Sequence, residues 1–126
     1  MNTDIATLPR LVLVDNDGRQ LEILTLIFRM FGYSVLAFSC PVAALTALAQ
    51  PPLPRVDLAV VDYEMPMMNG ATVAHYLRAC YPRLKIVLHS GASVVPENDL
   101  NVVDSLVRKG TGVLVLLQEV SRLRCC

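Results

Sequence analysis

Five short apolar runs recur along the chain, at 11–14 (LVLV), 34–38 (SVLAF), 58–61 (LAVV), 85–88 (KIVL) and 113–116 (VLVL). They are nearly continuous, rich in β-branched residues and too short for helices. Such runs suit strands buried on both faces, which means a parallel sheet covered by helices. Helical spacing fills the gaps. Residues 17–31 open on an N-cap type residue, carry Leu21, Leu24, Ile27, Phe28 and Phe31 on one face, and stop at Gly32. Residues 41–50 begin with proline and end at Pro51-Pro52, and residues 71–81 follow Asn69-Gly70 and stop before Pro82. A fourth helix is predicted over 96–109, ending at Gly110, and a short fifth over 118–124.

The pattern is therefore βα repeated five times, which predicts one right-handed, doubly wound α/β domain over residues 1–126. In open sheets of this kind ligands bind at the C-terminal ends of the strands. The residues there are Asp15-Asn16-Asp17, Ser39-Cys40, Asp62, Ser90-Gly91 and Leu117-Gln118.

Composition narrows the function classes. Hydrophobic residues make up 54% of 126, enough for a core, and mean hydropathy is +0.50. No run approaches the roughly 18 apolar residues of a membrane span, and residues 1–10 lack signal-peptide order. A cytoplasmic protein is expected. Lys+Arg and Asp+Glu both total 11, so no net field attracts nucleic acid or acidic lipid. Cys40 and Cys80 are expected to be small buried thiols, and Cys125-Cys126 an incidental tail. None has zinc-ligand spacing.

Asp15, Asp17 and Asp62 should meet at the strand ends. Converging carboxylates repel unless a hard cation such as Mg2+ sits among them, and that cation would also offset charge on a transferred phosphoryl group. Ser90 could donate to a phosphoryl oxygen, with Gly91 leaving room for it. Taken singly, Asp15 or Asp17 could equally be an N-cap and Ser90 an ordinary turn. Jointly, polar groups ending several apolar strands at one edge favour a site. His75 and His89 have no partner at metal-ligand spacing, so packed or solvated histidines are expected. Met65, Met67 and Met68 are expected to pack in the loop and core.

The segment 58–70, LAVVDYEMPMMNG, resembles the phosphoacceptor signature of bacterial response-regulator receiver domains, the CheY-like superfamily. With the five βα units, the resemblance covers nearly the whole chain. It implies a flavodoxin-like sheet of order 2-1-3-4-5. It implies that Asp62 accepts a phosphoryl group from a sensor histidine kinase, and that Asp15 belongs to an acidic Mg2+ pocket. It further implies that the Glu64 backbone carbonyl ligates the metal and that Ser90 is the switch hydroxyl. Tyr63 and Glu64 would overhang the site, where such positions tune the lifetime of the phosphoryl group.

Two departures stand against that pattern. Asn16 falls where the family usually has a second acid, so an amide replaces a charge and Mg2+ binding should weaken. With a fifth strand at 113–116, the family's lysine position falls on Leu116 or Leu117, and Leu114 lies near the aromatic switch position. Lys109 would then precede the strand, at the opposite edge of the sheet. An atypical member is expected: not an enzyme, with no effector domain in this chain.

Two readings follow: a slow phosphoacceptor, or a phosphorylation-independent pseudo-receiver acting through protein–protein interaction. A flavodoxin-like nucleotide binder is disfavoured, because Asp15-Asn16-Asp17-Gly18 is acidic and carries one glycine. The fourth helix, fifth strand and fifth helix present Val102, Val103, Leu106, Val113 and Val115, which suggests a face for a downstream protein or a homodimer.

Overall fold

The computed structural model describes residues 8–92 and 94–125. The expectations for the first seven residues and for Cys126 lie outside them. Five parallel strands, β1 (Arg10–Val14), β2 (Ser34–Phe38), β3 (Leu58–Asp62), β4 (Lys85–Ser90) and β5 (Ser105–Arg108), form one sheet of order β2-β1-β3-β4-β5. The helices are α1 (Gly18–Met30), α2 (Pro41–Leu48), α3 (Gly70–Cys80), α4 (Glu97–Leu100) and α5 (Val113–Arg124).

The near-continuous apolar runs are explained by a core on each face of the sheet. Alternate strand residues point opposite ways. Leu11, Leu13, Leu58, Val60, Val87 and Val107 pack with Leu24 and Phe28 of α1 and with Leu116, Val120 and Leu123 of α5. Val12, Val14, Ala59, Val61 and Ile86 pack with Ala44 and Leu48 of α2 and with Val73, Ala74 and Leu77 of α3. The helix ends follow the sequence signals. The Asp17 carboxylate accepts from the N–H groups of Arg19 and Gln20. At the other end Gly32 takes φ +93°, which lets Tyr33 N–H reach Phe28 O at 3.1 Å.

The last third of the chain differs from the sequence expectation. The fifth strand is Ser105–Arg108, and the run at 113–116 is the first turn of α5. That run is aliphatic enough to pass for a strand. Its burial is helical instead: Leu116, Leu117, Val120 and Leu123 are buried, while Leu114 is 66% exposed. The true strand is inconspicuous because it is a sheet edge paired only with β4, so it tolerates Ser105 and Arg108 at its ends. The helix predicted over 96–109 shrinks to one turn, Glu97–Leu100. The fifth helix is not short but runs 12 residues. Cys40 is exposed at the N-cap of α2 rather than buried.

Candidate functional site

Asp62 ends β3, and Gly70 fixes what lies behind it. A Cβ on Gly70 would stand 2.4 Å from the Asp62 carbonyl oxygen and 2.8 Å from Leu88 Cδ1. Only glycine lets α3 begin this close to the strand. Asn69 caps that helix by accepting from Thr72 N–H at 3.0 Å. Asp62 is 2% exposed and Asp15, from the end of β1, 4%. Ser90, at the end of β4, is fully buried.

Lys109 is the residue the sequence reading misplaced. It directly follows β5, at the C-terminal edge, and its Nζ lies 2.8 Å from Asp62 Oδ1. The lysine expected to be missing is therefore present. Leu116 and Leu117 lie in α5 against the core, and Leu114 is on its outer face. No aromatic residue occurs in β5 either. The signal for Lys109 was available: a strand of only four residues, SLVR, followed by Lys-Gly.

The electrostatics follow from burial. Desolvation pushes the Asp62 carboxyl up to about 6, aided by the neighbouring Asp15 charge and opposed by the Lys109 ammonium. Burial acts to lower Lys109, but its hydrogen bond and ion pair with Asp62 outweigh that, and the net shift is upward. His89, in register with Asp62 on β4, is pushed down to about 4, chiefly by burial and then by Lys109. His75 is exposed on α3. Met65 and Met68 pack against the core beside α2 and α3, whereas Met67 is exposed at φ 75°.

Asp15 Oδ1 accepts from Asp17 N–H at 2.9 Å, and Asp17 itself faces solvent as the α1 cap. Asp17 does not supply a third inward acid. Asp15 Oδ2 is buried without a hydrogen-bond partner. Asn16 satisfies its surroundings with its amide nitrogen turned inward, donating to Asp62 Oδ2 at 3.1 Å and to the Glu64 carbonyl at 3.2 Å. Among the described residues no group of three or more His, Cys, Asp or Glu side chains is arranged for a metal. The orphaned Asp15 oxygen, the Asp62 carboxylate and the Glu64 carbonyl are nonetheless hard oxygen donors of the kind Mg2+ takes.

The loops above the strands are tied across. Glu64 Oε1 accepts from Ser90 Oγ at 3.0 Å, Gly91 N–H at 2.6 Å and Ala92 N–H at 3.0 Å. Tyr63 Oη donates to Asp99 Oδ2 of α4 at 2.6 Å, and that carboxylate holds the phenol proton, pushing Tyr63 up to about 12. The arrangement is a buried carboxylate beside an ammonium, with hydroxyl and amide donors next to it. Such a site suits capture of an electrophilic, highly charged group.

The family model of the response regulator receiver domain matches residues 11–108. The DNA-binding response regulator MtrA of Mycobacterium tuberculosis is 36% identical over 70 residues, 56% of this chain and 29% of that protein. This chain therefore matches under a third of the length of that relative. The response regulator TrrA of Thermotoga maritima, solved in complex with Mg(2+)-BeF, superposes with a TM-score of 0.80 at 25% identity, covering 91% of this chain and 98% of that one. TrrA is also seen in complex with the histidine kinase ThkA, with a TM-score of 0.80 at 24% identity over 91% of this chain and 97% of that one. A receiver protein from Sinorhizobium medicae shares the fold with a TM-score of 0.85 at 24% identity, over 96% and 98% of the two chains.

Proposed function

Because this chain belongs to the response regulator receiver domain family, we propose that it works in two-component signal transduction by taking a phosphoryl group on Asp62 from the phosphohistidine of a sensor histidine kinase. The observation that carries this is the Lys109–Asp62 ion pair at 2.8 Å in a buried strand-end pocket. An Asp62 carboxylate oxygen attacks phosphorus. A P–O bond forms, the P–N bond breaks, and the imidazole leaves with its electron pair and takes up a proton. The product is an acyl phosphate. Lys109 balances the charge gathering on the phosphoryl oxygens, and the Ser90 hydroxyl donates to one of them. This is a signalling role rather than a turnover enzyme.

Asp15, Asn16, Asp62 and the Glu64 carbonyl would hold Mg2+, with the Asn16 amide turned to offer its oxygen. When bound, the ion would offset charge on the phosphoryl group. Of the groups that would hold the ion only Asp15 and Asp62 carry charge, and Asp62 is already paired with Lys109, so binding is expected to be weak. The domain is proposed to be cytoplasmic; among the described residues no helix is long and apolar enough to cross a membrane. Besides the kinase, a downstream protein or a second copy would dock on α4, β5 and α5, where Val113, Leu114 and Val115 are exposed.

A second reading rests on Asn16. Its amide donates to two of the oxygens a metal would use, Asp62 Oδ2 and Glu64 O, which fits a phosphorylation-independent interaction module. Incubation with Mg2+ and phosphoramidate, followed by intact mass, separates the two. An adduct present in the wild type and lost in Asp62→Asn supports the phosphoacceptor; its absence over a range of Mg2+ and donor concentrations leaves the interaction module.

A further inference from the structure

Glu64 stands two residues beyond Asp62, and its carboxylate is not free. One oxygen collects the Ser90 hydroxyl and the N–H groups of Gly91 and Ala92, at 3.0, 2.6 and 3.0 Å; the other lies 3.3 Å from Ser90 Oγ. Three donors converging on one oxygen form an anion-binding concavity. It adjoins the ion pair, since a Cβ on Gly91 would meet Glu64 Oε1 at 3.6 Å and Lys109 Cδ at 3.9 Å.

We infer that the Glu64 carboxylate is a built-in occupant of the anion cradle formed by Ser90, Gly91 and Ala92, and that a phosphoryl group on Asp62 must displace it. The inference rests on the phosphoacceptor reading for its consequence, and on the hydrogen bonds alone for the occupancy. Ser90 Oγ is the hydroxyl assigned to the incoming group, and here it is already donating to Glu64. Two anions cannot share three donors without repulsion. Glu64 sits at the exposed loop and its oxygen receives three O–H and N–H donors, so it is held there as the anion.

The cradle has supports of its own. Ala92 N–H also reaches Ser90 Oγ at 3.0 Å, and Arg108 Nη1 donates to the Ala92 carbonyl at 2.5 Å. Glu64 is exposed on its loop, so it can swing out while the donors stay in place. Glu64 thereby sets a threshold: the resting chain keeps its switch hydroxyl engaged until a more highly charged group arrives.

Amide spectra and phosphorylation kinetics test this together on wild type, Glu64→Ala and Glu64→Gln. Without donor, Glu64→Ala should move the Gly91 and Ala92 amide resonances upfield and speed their exchange, leaving the β1 and β3 amides unmoved. Inorganic phosphate should then restore both resonances in Glu64→Ala but not perturb them in the wild type. With phosphoramidate, Glu64→Ala should acquire the Asp62 adduct about tenfold faster, the equivalent of one charge-assisted hydrogen bond. Glu64→Gln, which keeps the shape and loses the charge, should fall between. Unmoved Gly91 and Ala92 amides in Glu64→Ala would overturn the occupancy. Equal phosphorylation rates in wild type and Glu64→Ala would overturn the threshold and leave the receiver reading intact. Amides that shift and recover with inorganic phosphate, in chains that never gain the adduct, would uphold the occupancy and sink the phosphoacceptor reading instead.

Discussion

Lys109 Nζ reaches Asp62 Oδ1 at 2.8 Å from the far end of the four-residue strand β5. In the proposed phosphotransfer the pair governs whether Asp62 is a nucleophile. Burial pushes the carboxyl up to about 6, and the ammonium is the main force holding it there rather than higher. Lys109→Met should leave Asp62 largely protonated at neutral pH. Phosphorylation from phosphoramidate should slow by ~10-fold or more at pH 7, and part of the loss should return above pH 8, where the carboxyl ionises again. Rates from intact mass across pH check this. A variant as fast as wild type at pH 7 would remove Lys109 from the reaction.

The same pair marks where sequence reading succeeded and failed. Asp15, Asp62 and Ser90 were legible because each ends an apolar run that is buried on both sheet faces, and their convergence followed from the strand-end rule. Gly70 and Asn69 were legible as a helix start. Lys109 was not. The edge strand that delivers it buries one residue fully, Val107, whereas Val113 to Leu117 is a longer aliphatic run. Hydrophobicity therefore pointed to the wrong segment. Helical burial of Leu116, Leu117, Val120 and Leu123 resolves the ambiguity only once Glu119 to Arg124 are read with the same helix. Glu64 was recognised as overhanging the site, but its partners lie 26 to 28 residues away on another loop, beyond the reach of local pattern.

Gly70→Ala tests the packing behind the site. Alanine is ordinarily the better helix former by ~1 kcal/mol. Here its methyl would lie 2.4 Å from the Asp62 carbonyl oxygen, which is backbone and cannot rotate away. The steric term should win, with a net loss of roughly 2 kcal/mol or more. Urea unfolding should show a lower midpoint at an unchanged slope. Equal or higher stability would mean that α3 shifts away from β3 at no cost.

His89 makes stability depend on pH in a direction opposite to Asp62. Burial, then the Lys109 charge, lowers His89 from 6.5 to about 4 in the folded chain. The unfolded chain takes up that proton first, so the contribution of His89 is present above 6.5 and lost as pH falls toward 4, by about 3 kcal/mol in all. Asp62, raised from 3.8 to about 6, behaves oppositely: its contribution is present below 3.8 and lost as pH rises through 6. The two slopes offset one another in the wild type. His89→Leu removes one of them, and His89 Nδ1 has no hydrogen-bond partner to lose. Measured by urea unfolding in EDTA, wild type should lose stability relative to His89→Leu as pH goes from 7 to 4.5. A constant difference across that range would refute the assignment.

Asn16→Asp addresses the proposed cation pocket directly. The Asn16 amide donates to Asp62 Oδ2 at 3.1 Å and to the Glu64 carbonyl at 3.2 Å. A carboxylate at that position can donate to neither, and it adds a third negative charge beside Asp15 and Asp62. In EDTA the variant should melt at a lower temperature than the wild type, because the new charge stands beside the buried Asp15 and Asp62 carboxylates. Magnesium should reverse the order, since the added charge and oxygen strengthen a hard-cation site; an affinity gain of ~10-fold or more is expected. Calorimetric Mg2+ titration and thermal unfolding with and without the ion read the two effects separately. If the variant binds Mg2+ no better than wild type, Asn16 does not stand at the cation position, and the weak binding expected of this chain has another source. If it binds better but is no less stable in EDTA, the amide hydrogen bonds contribute little, and Asn16 acts through charge alone.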